Sequence, residues 1–415
     1  MDDDAALSAA IAAHLLPDPP EKLGVAVSGG GDSMALLALA DDFARAQGVQ
    51  VHVISVDHGL RSGVREELAL VAAFCAARGL PHQVETWSGW DGAGNLQGAA
   101  RAARYHLINQ WADSVGLATV LLGHTADDQA ETLMMRLARG AGVDGLSAMA
   151  PRRVRDGVTY VRPLLDITRA ELRAYLGRHG IAWADDPSND DTSFARVAMR
   201  QALTQLEPLG LTAKTLAGVA RNMRQSREAL NWQAFQAARD VAQVQCGAVR
   251  VDVQKFRDLP TEISRRLLVQ AVMWINGGGY PPRRAGIAGV QAAVNDGRTT
   301  TLDGCQISFA GPVMWIYREL NAVRDSTSKL DGVWDNRWRV DGPENNPGWR
   351  IGALGEDGLS QRPDWRDLGL PRGAMLSLPA VWDGAQLVAA PVFDAAAGWS
   401  AEITGGQETF FAALL

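Results

Sequence analysis

Cysteine is the first scarcity. The chain has three, Cys75, Cys246 and Cys305, far apart and without a CxxC pair, so neither a disulfide framework nor a zinc knuckle is indicated. Long apolar runs are missing too: none approaches the roughly 18 residues that a membrane span needs. The opening Met-Asp-Asp-Asp lacks the basic start of a secretion signal. A reducing, cytoplasmic setting with no membrane partner is the expectation. Positive charge is also short, with 40 Lys and Arg against 47 Asp and Glu and a net charge of −7. Taken whole, that balance argues against a nucleic-acid partner. Its distribution argues the other way. Residues 1–210 carry 18 basic and 26 acidic residues, 211–320 carry 14 and 8, and 321–415 carry 8 and 13. A basic middle between acidic neighbours suits a local polyanion site.

What is present is alternation. At 415 residues the chain is long enough for two or three domains, each with its own core. Between 20 and 165, short apolar runs at 25–27, 49–56, 83–86, 119–122 and 158–161 alternate with helix-period segments at 34–46, 64–78, 97–115 and 126–139. This order predicts an α/β domain with a doubly wound parallel sheet and helices on both faces. Such sheets bind ligands at the carboxyl ends of their strands. Polar clusters at 28–33, 57–61 and 123–128 follow three of those ends, so they should meet in one crevice. A helix is expected over 166–182, followed by the polar loop "WADDPSNDDTSF" (183–194). From about 197 to 295 the chain reads as mostly helical, broken by "NGGGYPPRR" (276–284), with strand-like runs at 299–318. "RDSTSKLDG" (324–332) reads as a linker to a small β-rich domain. The expected division is 1–205 as the α/β domain, 206–322 as a basic, mostly helical domain, and 333–415 as a small C-terminal domain.

The stretch "VAVSGGGDSMALLALA" (25–40) is a strand, a small-residue turn and a helix. Glycines there let backbone N–H groups approach an anion, and a helix N-terminus adds favourable partial charge. A Walker loop needs a lysine where Asp32 stands, the dinucleotide fingerprint is half present, and G-x-S-x-G is absent. In "GHTADDQAETLMMRLARG" (123–140), Asp127, Asp128 and Glu131 sit at i,i+4 and i,i+3 spacing, which places them on one helix face. Leu133, Met134 and Leu137 are expected to pack against the sheet. Acids so placed suit Mg²⁺ or a substrate ammonium; complementing the helix dipole accounts for one of them. "NLQGAARAARYHLI" (95–108) puts Arg101 and Arg104 on one turn. For RNA, the candidates are Arg221, Arg224 and Arg227 at i, i+3, i+6, with the pairs Arg265-Arg266 and Arg283-Arg284. Beyond them "RWR" (337–339), Trp349-Arg350 and Trp365-Arg366 offer either an aromatic grip or a tryptophan core.

The loop Ser28–Ser33 resembles the pyrophosphate loop of the N-type ATP pyrophosphatase (PP-loop) superfamily. In order with "VDHGLR" (56–61), "NLQGAARAARY" (95–105), "GHTADDQAETLMMRLARG" (123–140), "RPLL" (162–165) and "DDPSN" (185–189), it is similar to the tRNA(Ile)-lysidine synthetase family. "LGEDG" (354–358) and "PAVWDGAQLVAAP" (379–391) resemble that family's last module. The resemblance implies ATP and Mg²⁺, free L-lysine, a tRNA(Ile) with a CAU anticodon, and a homodimer as one possible assembly. Ser28, Gly29, Gly30, Gly31, Asp32 and Ser33 would hold the pyrophosphate, with Asp32 and Asp128 on the metal. Val56, His58, Gly123 and His124 would flank the adenosine. Asp128 and Glu131 would receive the lysine ammonium, and Arg104 the α-phosphate or the lysine carboxylate. Arg196 and Arg200 would reach phosphate or the anticodon. One departure stands out: where the family shows a run like Arg-Asn-Arg-Ile-Arg, this chain reads "RVAMR" (196–200). Val197-Ala198 therefore leaves the usual Asn-Arg pair without a bearer. The rivals are a tRNA thiolase, a glutamine-dependent synthetase and a non-catalytic RNA-binding protein. The first two need cysteines that are not in position, and the third needs no intact loop.

Overall fold

The short apolar runs of the N-terminal half are β-branched, bounded by Gly or polar turns, and too brief for helices, which makes them strands. The computed structural model describes residues 3–59, 63–90, 94–185, 195–344 and 346–415. It divides into two units, Met1–Arg227 and Glu228–Leu415. The first holds α1 (Asp3–Leu15), β1 (Lys22–Ala26), α2 (Gly31–Gln47), β2 (Gln50–Asp57), α3 (Val64–Arg78), β3 (His82–Thr86), α4 (Leu96–Val115) and β4 (Thr119–Leu122). It continues through α5 (Ala126–Leu137), α6 (Val143–Leu146), β5 (Arg152–Arg155), β6 (Val158–Val161), α7 (Arg169–Arg178) and α8 (Ala195–Leu206). The strands lie in the order β3-β2-β1-β4-β6-β5. All neighbours are parallel except the edge strand β5. Chain order reverses across β1, whose neighbours are β2 and β4, so the crevice between the ends of β1 and β4 is a topological switch point.

Helix α2 is apolar almost all round, with Ser33 to Asp41 buried without a break, the signature of a helix enclosed on every side. It stops where Gly48 takes a left-handed φ of 72°, the usual C-terminal device. Helix α1, unassigned in the sequence reading, adds Leu7, Ile11 and Leu15 to the same core. Helix α7 begins three residues later than expected because Thr168 and Glu171 form a reciprocal capping box that sets Arg169 at the first helical position. Leu133 and Met134 of α5 pack with Ala148, Leu216 and Ala220 rather than on the sheet, and Leu137 is exposed.

The division between units falls inside α9 (Ala213–Val241). The second unit continues with β7 (Ala242–Gln245), β8 (Ala248–Asp252), α10 (Val253–Arg257), α11 (Thr261–Ile275), α12 (Arg284–Asn295), β9 (Thr300–Leu302), β10 (Cys305–Ala310) and β11 (Val313–Arg318). The segment 197–295 is mostly helical as read, but it contains the β7–β8 hairpin. Two inward valines, Val249 and Val251, are too few to register in a helical background. The hairpin joins an antiparallel sheet of order β7-β8-β11-β10-β9. Further on, β12 (Trp338–Asp341) pairs with β16 (Ser400–Ile403), while β13 (Arg350–Ala353), β14 (Pro379–Asp383) and β15 (Gln386–Ala389) form a three-stranded sheet. Trp334, Trp338 and Trp399 are buried in one cluster with Trp315 and Tyr317. Arg337 is buried as well, donating to the carbonyls of Ile275 (2.7 Å) and Gly247 (2.6 Å). Of the two readings of "RWR", core is therefore the one the structure adopts. No helix among the described residues is long and apolar enough to cross a membrane.

Candidate active site

The turn after β1 closes on itself. The Ser28 backbone N–H donates to Ser33 Oγ (3.1 Å), and Ser33 Oγ donates to the Gly30 carbonyl (2.9 Å). Gly29 has φ +89°, and a Cβ there would stand 2.7 Å from the Glu67 carbonyl oxygen. Gly30 has open space, with nothing nearer than 3.7 Å. Gly31 faces the Trp183 ring, and the Ala184 N–H donates to the Gly29 carbonyl (3.0 Å). A Cβ on Gly123, after β4, would lie 3.1 Å from Ser33 Cα, so that glycine lets the β4 end close on the loop. Gly29→Ala should therefore cost about 1–3 kcal/mol of strain and lower the melting midpoint by several degrees, whereas Gly30→Ala leaves it unchanged. Paired thermal denaturation curves check this.

Beside the loop, the acids of α5 meet a residue that the sequence reading missed. Arg169 donates from Nε to Asp32 Oδ2 (3.2 Å), from Nη2 to Asp128 Oδ1 (2.6 Å) and from Nη1 to Glu131 Oε1 (3.0 Å). Its backbone N–H donates to Asp127 Oδ2 (2.9 Å). Arg196 on α8 bridges Glu131 Oε2 (2.6 Å) and Asp128 Oδ1 (3.0 Å), and Arg200 reaches Glu131 Oε1 (3.0 Å). Asp128 uses its other oxygen to accept the Thr125 N–H (2.8 Å). Asp128 thus caps α5 with one oxygen and meets two guanidinium groups with the other. The Thr-x-x-Glu capping box at 168–171 marks Arg169 as the start of a helix; nothing local marks it as facing three carboxylates.

On the other side of β1, Arg104 on α4 donates to His58 Nε2 from Nε (3.2 Å) and Nη2 (3.0 Å). Val56 is half-buried in β2 against a core cluster. Arg101 donates to the Tyr105 hydroxyl (3.3 Å), as does Arg162, a buried arginine of the "RPLL" stretch (3.4 Å). His124 Nδ1 is buried without a hydrogen-bond partner among the described residues. Residues 60–61 of "VDHGLR" and 186–189 of "DDPSN" lie outside the described residues.

Burial sets the electrostatics. It pushes the Asp32 carboxyl up to about 6 against the opposing pull of Arg169. Burial also acts to raise Asp128, but Arg169 and then Arg196 outweigh it and hold that carboxyl below its ordinary value. Burial lowers His124 to about 4, with Asp128 opposing and Arg162 and Arg101 assisting, so its ring is neutral at pH 7. For Arg169, burial is more than offset by Asp128, Glu131 and Asp32, which hold the guanidinium above its usual range.

Asp32 Oδ2 and Asp128 Oδ1 already converge on one cation, the Arg169 guanidinium. Among the described residues no group of three or more His, Cys, Asp or Glu is placed for an all-protein metal cage. Two convergent carboxylate oxygens beside an anion loop fit Mg²⁺, which commonly takes one or two carboxylates and draws other ligands from phosphate and water.

A family model described as a PP-loop domain matches residues 4–207. The chain is 38% identical over 345 residues to the tRNA(Ile)-lysidine synthase of Bradyrhizobium diazoefficiens, covering 75% of this chain and 94% of that protein. Among solved structures, the U34-tRNA thiolase NcsA from Methanococcus maripaludis is similar at 16% identity and a TM-score of 0.47, over 54% of this chain and 78% of that one; a likeness so slight carries no argument. The tRNA(Ile)-lysidine synthase of Ruegeria pomeroyi is 51% identical over 404 residues, 97% of this chain and 96% of that protein. Identity at that level along almost the whole of both chains asks for more than a shared fold: the chain belongs to the tRNA(Ile)-lysidine synthase family.

Proposed function

We propose that the crevice joins free L-lysine to the wobble cytidine of a CAU-anticodon tRNA(Ile), switching its reading from AUG to AUA. The chain is an ATP-dependent carbon–nitrogen ligase acting on tRNA. Cytosine O2 attacks the α-phosphate of ATP and pyrophosphate leaves. The lysine ε-amine then attacks C2, loses a proton, and AMP departs with the O2 oxygen. The observation that carries this reading is the convergence of Asp32, Asp128 and Glu131 beside the closed Ser28–Ser33 turn.

In this proposal the Ser28–Ser33 turn receives the leaving pyrophosphate, with Gly30 open to it. Asp32 and Asp128 hold Mg²⁺, which when bound neutralises charge on the phosphates. Val56, His58, Gly123 and the neutral His124 flank the adenosine. Arg104, through its hydrogen bonds to His58, stands where it can meet the α-phosphate or the lysine carboxylate. Asp128 and Glu131 receive the lysine ammonium, and only the deprotonated amine is a nucleophile. The catalytic part is 1–205, while 206–322 and 333–415 contact the tRNA. The setting is the cytoplasm; light scattering tests a homodimer.

A thiolase reading is disfavoured by the cysteines. Cys75 and Cys305 are buried, and burial pushes their thiols up to about 11 and about 12. The test is AMP and pyrophosphate release that requires both lysine and tRNA, with a nucleoside digest showing a lysine-modified cytidine. Turnover that needs a sulfur donor instead, or no turnover with intact tRNA binding, would reject the ligase.

A further inference from the structure

Many charges of the basic middle segment are already ion-paired within the protein. Arg221 pairs with Asp166 (2.9 Å), Lys255 with Asp240 (2.9 Å), Arg298 with Asp296 (3.0 Å) and Arg318 with Asp335 (2.9 Å). Arg265 and Arg266 share Glu262 (2.7 and 3.0 Å), and Arg266 is buried. Arg283 and Arg284 differ: both are exposed and have no ion-pair partner among the described residues. They close a loop whose apex is Tyr280, 95% exposed.

That loop is anchored at its root. Arg337 donates to the Ile275 carbonyl at the end of α11, and the Gly278 N–H donates to the Met273 carbonyl (2.8 Å). Gly277, at φ +81°, lies against the Asp335-Asn336 turn; a Cβ there would be 2.9 Å from Asn336 Cβ. Arg318 clamps that turn through both Asp335 oxygens (2.9 Å each). On the return side Pro282 is buried. Between these anchors Gly278 and Gly279 have left-handed φ values of 97° and 107°, and a Cβ on either would meet nothing within 4 Å. A fixed base thus carries an open tip that holds an aromatic ring in solvent within four residues of two unspent arginines. The ring has no packing role in the fold.

We propose that the 277–284 tip is a tRNA contact, in which Tyr280 stacks on an unpaired base and Arg283 and Arg284 take the flanking phosphates. Unpaired bases on aromatic planes, with arginine on the backbone, are the usual terms of RNA recognition. The proposal rests on tRNA being the substrate. Full-length tRNA(Ile) is titrated against wild type, Tyr280→Ala, Tyr280→Phe and Arg283→Glu/Arg284→Glu over a range of salt, with wild-type lysine-dependent turnover measured in parallel. That parallel measurement separates a failure of the functional reading, in which wild type neither binds nor turns over, from a failure of the tip. Tyr280→Ala should bind roughly tenfold more weakly and Tyr280→Phe like wild type. The double reversal should weaken binding and reduce the logarithmic salt slope by about one to two. Melting midpoints should stay unchanged. Wild-type affinity and slope in both the alanine and the double variant would overturn the proposal. So would unchanged tRNA binding with an altered oligomeric mass, which would assign the tip to a second copy of the chain.

Discussion

Asp32→Ala should bring pyrophosphate release down roughly a hundred- to thousand-fold while the chain stays folded and still binds tRNA. The argument is positional. Asp32 stands in the first turn of α2 with its side chain 25% exposed, and its Oδ2 points with Asp128 Oδ1 at one guanidinium. Charge must be neutralised on the phosphates as the α–β bond of ATP breaks, and an alanine supplies neither a metal ligand nor its field. Asp32→Asn is the isosteric control. It should lose activity almost as fully, because shape without charge does not hold a cation. The raised carboxyl makes the sign of the pH dependence definite. Its folded value is about 6 against 3.8 in a model peptide, so the folded state binds this proton more readily than the unfolded chain. Wild-type stability therefore gains from Asp32 as pH falls from about 6 towards 3.8, and at pH 7 the ionised carboxylate is a cost. Asp32→Asn should melt no lower than wild type at neutral pH. The acid limb of wild-type kcat/KM for ATP, which reports the free enzyme, should fall near pH 6. Pyrophosphate release near the wild-type rate in Asp32→Ala would remove this acid from the mechanism.

The parallel sheet was legible because its strands and helices are separated by period and by glycine. Runs such as 119–122 and 158–161 coincide with β4 and β6, and α2 is apolar enough to read as helix from either end. The antiparallel edge β5 was not legible: "RRVR" carries three charges in four residues and is mostly exposed, as edge strands often are. At the site, the loop and the acids were readable from local spacing, since each group lies within one turn of chain. Arg169 was not, because its contacts to Asp32, Asp128 and Glu131 span 137, 41 and 38 residues, and periodicity records only near neighbours. The same limit applies to the tryptophans, whose burial depends on partners such as Trp315 and Tyr317 far away in sequence.

Glu131→Gln should raise the KM for lysine about 10- to 100-fold, with the KM for ATP nearly unchanged. Glu131 is 1% exposed, with Oε1 shared by Arg169 and Arg200 and Oε2 held by Arg196. With Asp32 and Asp128, three carboxylates face three guanidinium groups, so each acid is already engaged by a cation. In the proposed reaction a lysine ammonium would enter such a site by taking the place of one guanidinium, and the carboxylate would then give it a charged hydrogen bond of about 1.5–3 kcal/mol. A carboxamide keeps the shape but turns one acceptor into a donor, which would face an arginine as well as the incoming cation. Arg200→Ala is the discriminating partner variant. It removes a competing cation and leaves the Glu131 carboxylate in place, so its lysine KM should fall or hold while that of Glu131→Gln climbs. Opposite movements in the two variants identify Glu131 as the ammonium acceptor. A flat lysine KM with a raised ATP KM in Glu131→Gln would move this acid to the phosphate side. A parallel rise in both, together with a lower melting midpoint, would make it the clasp that holds α8 by its arginines.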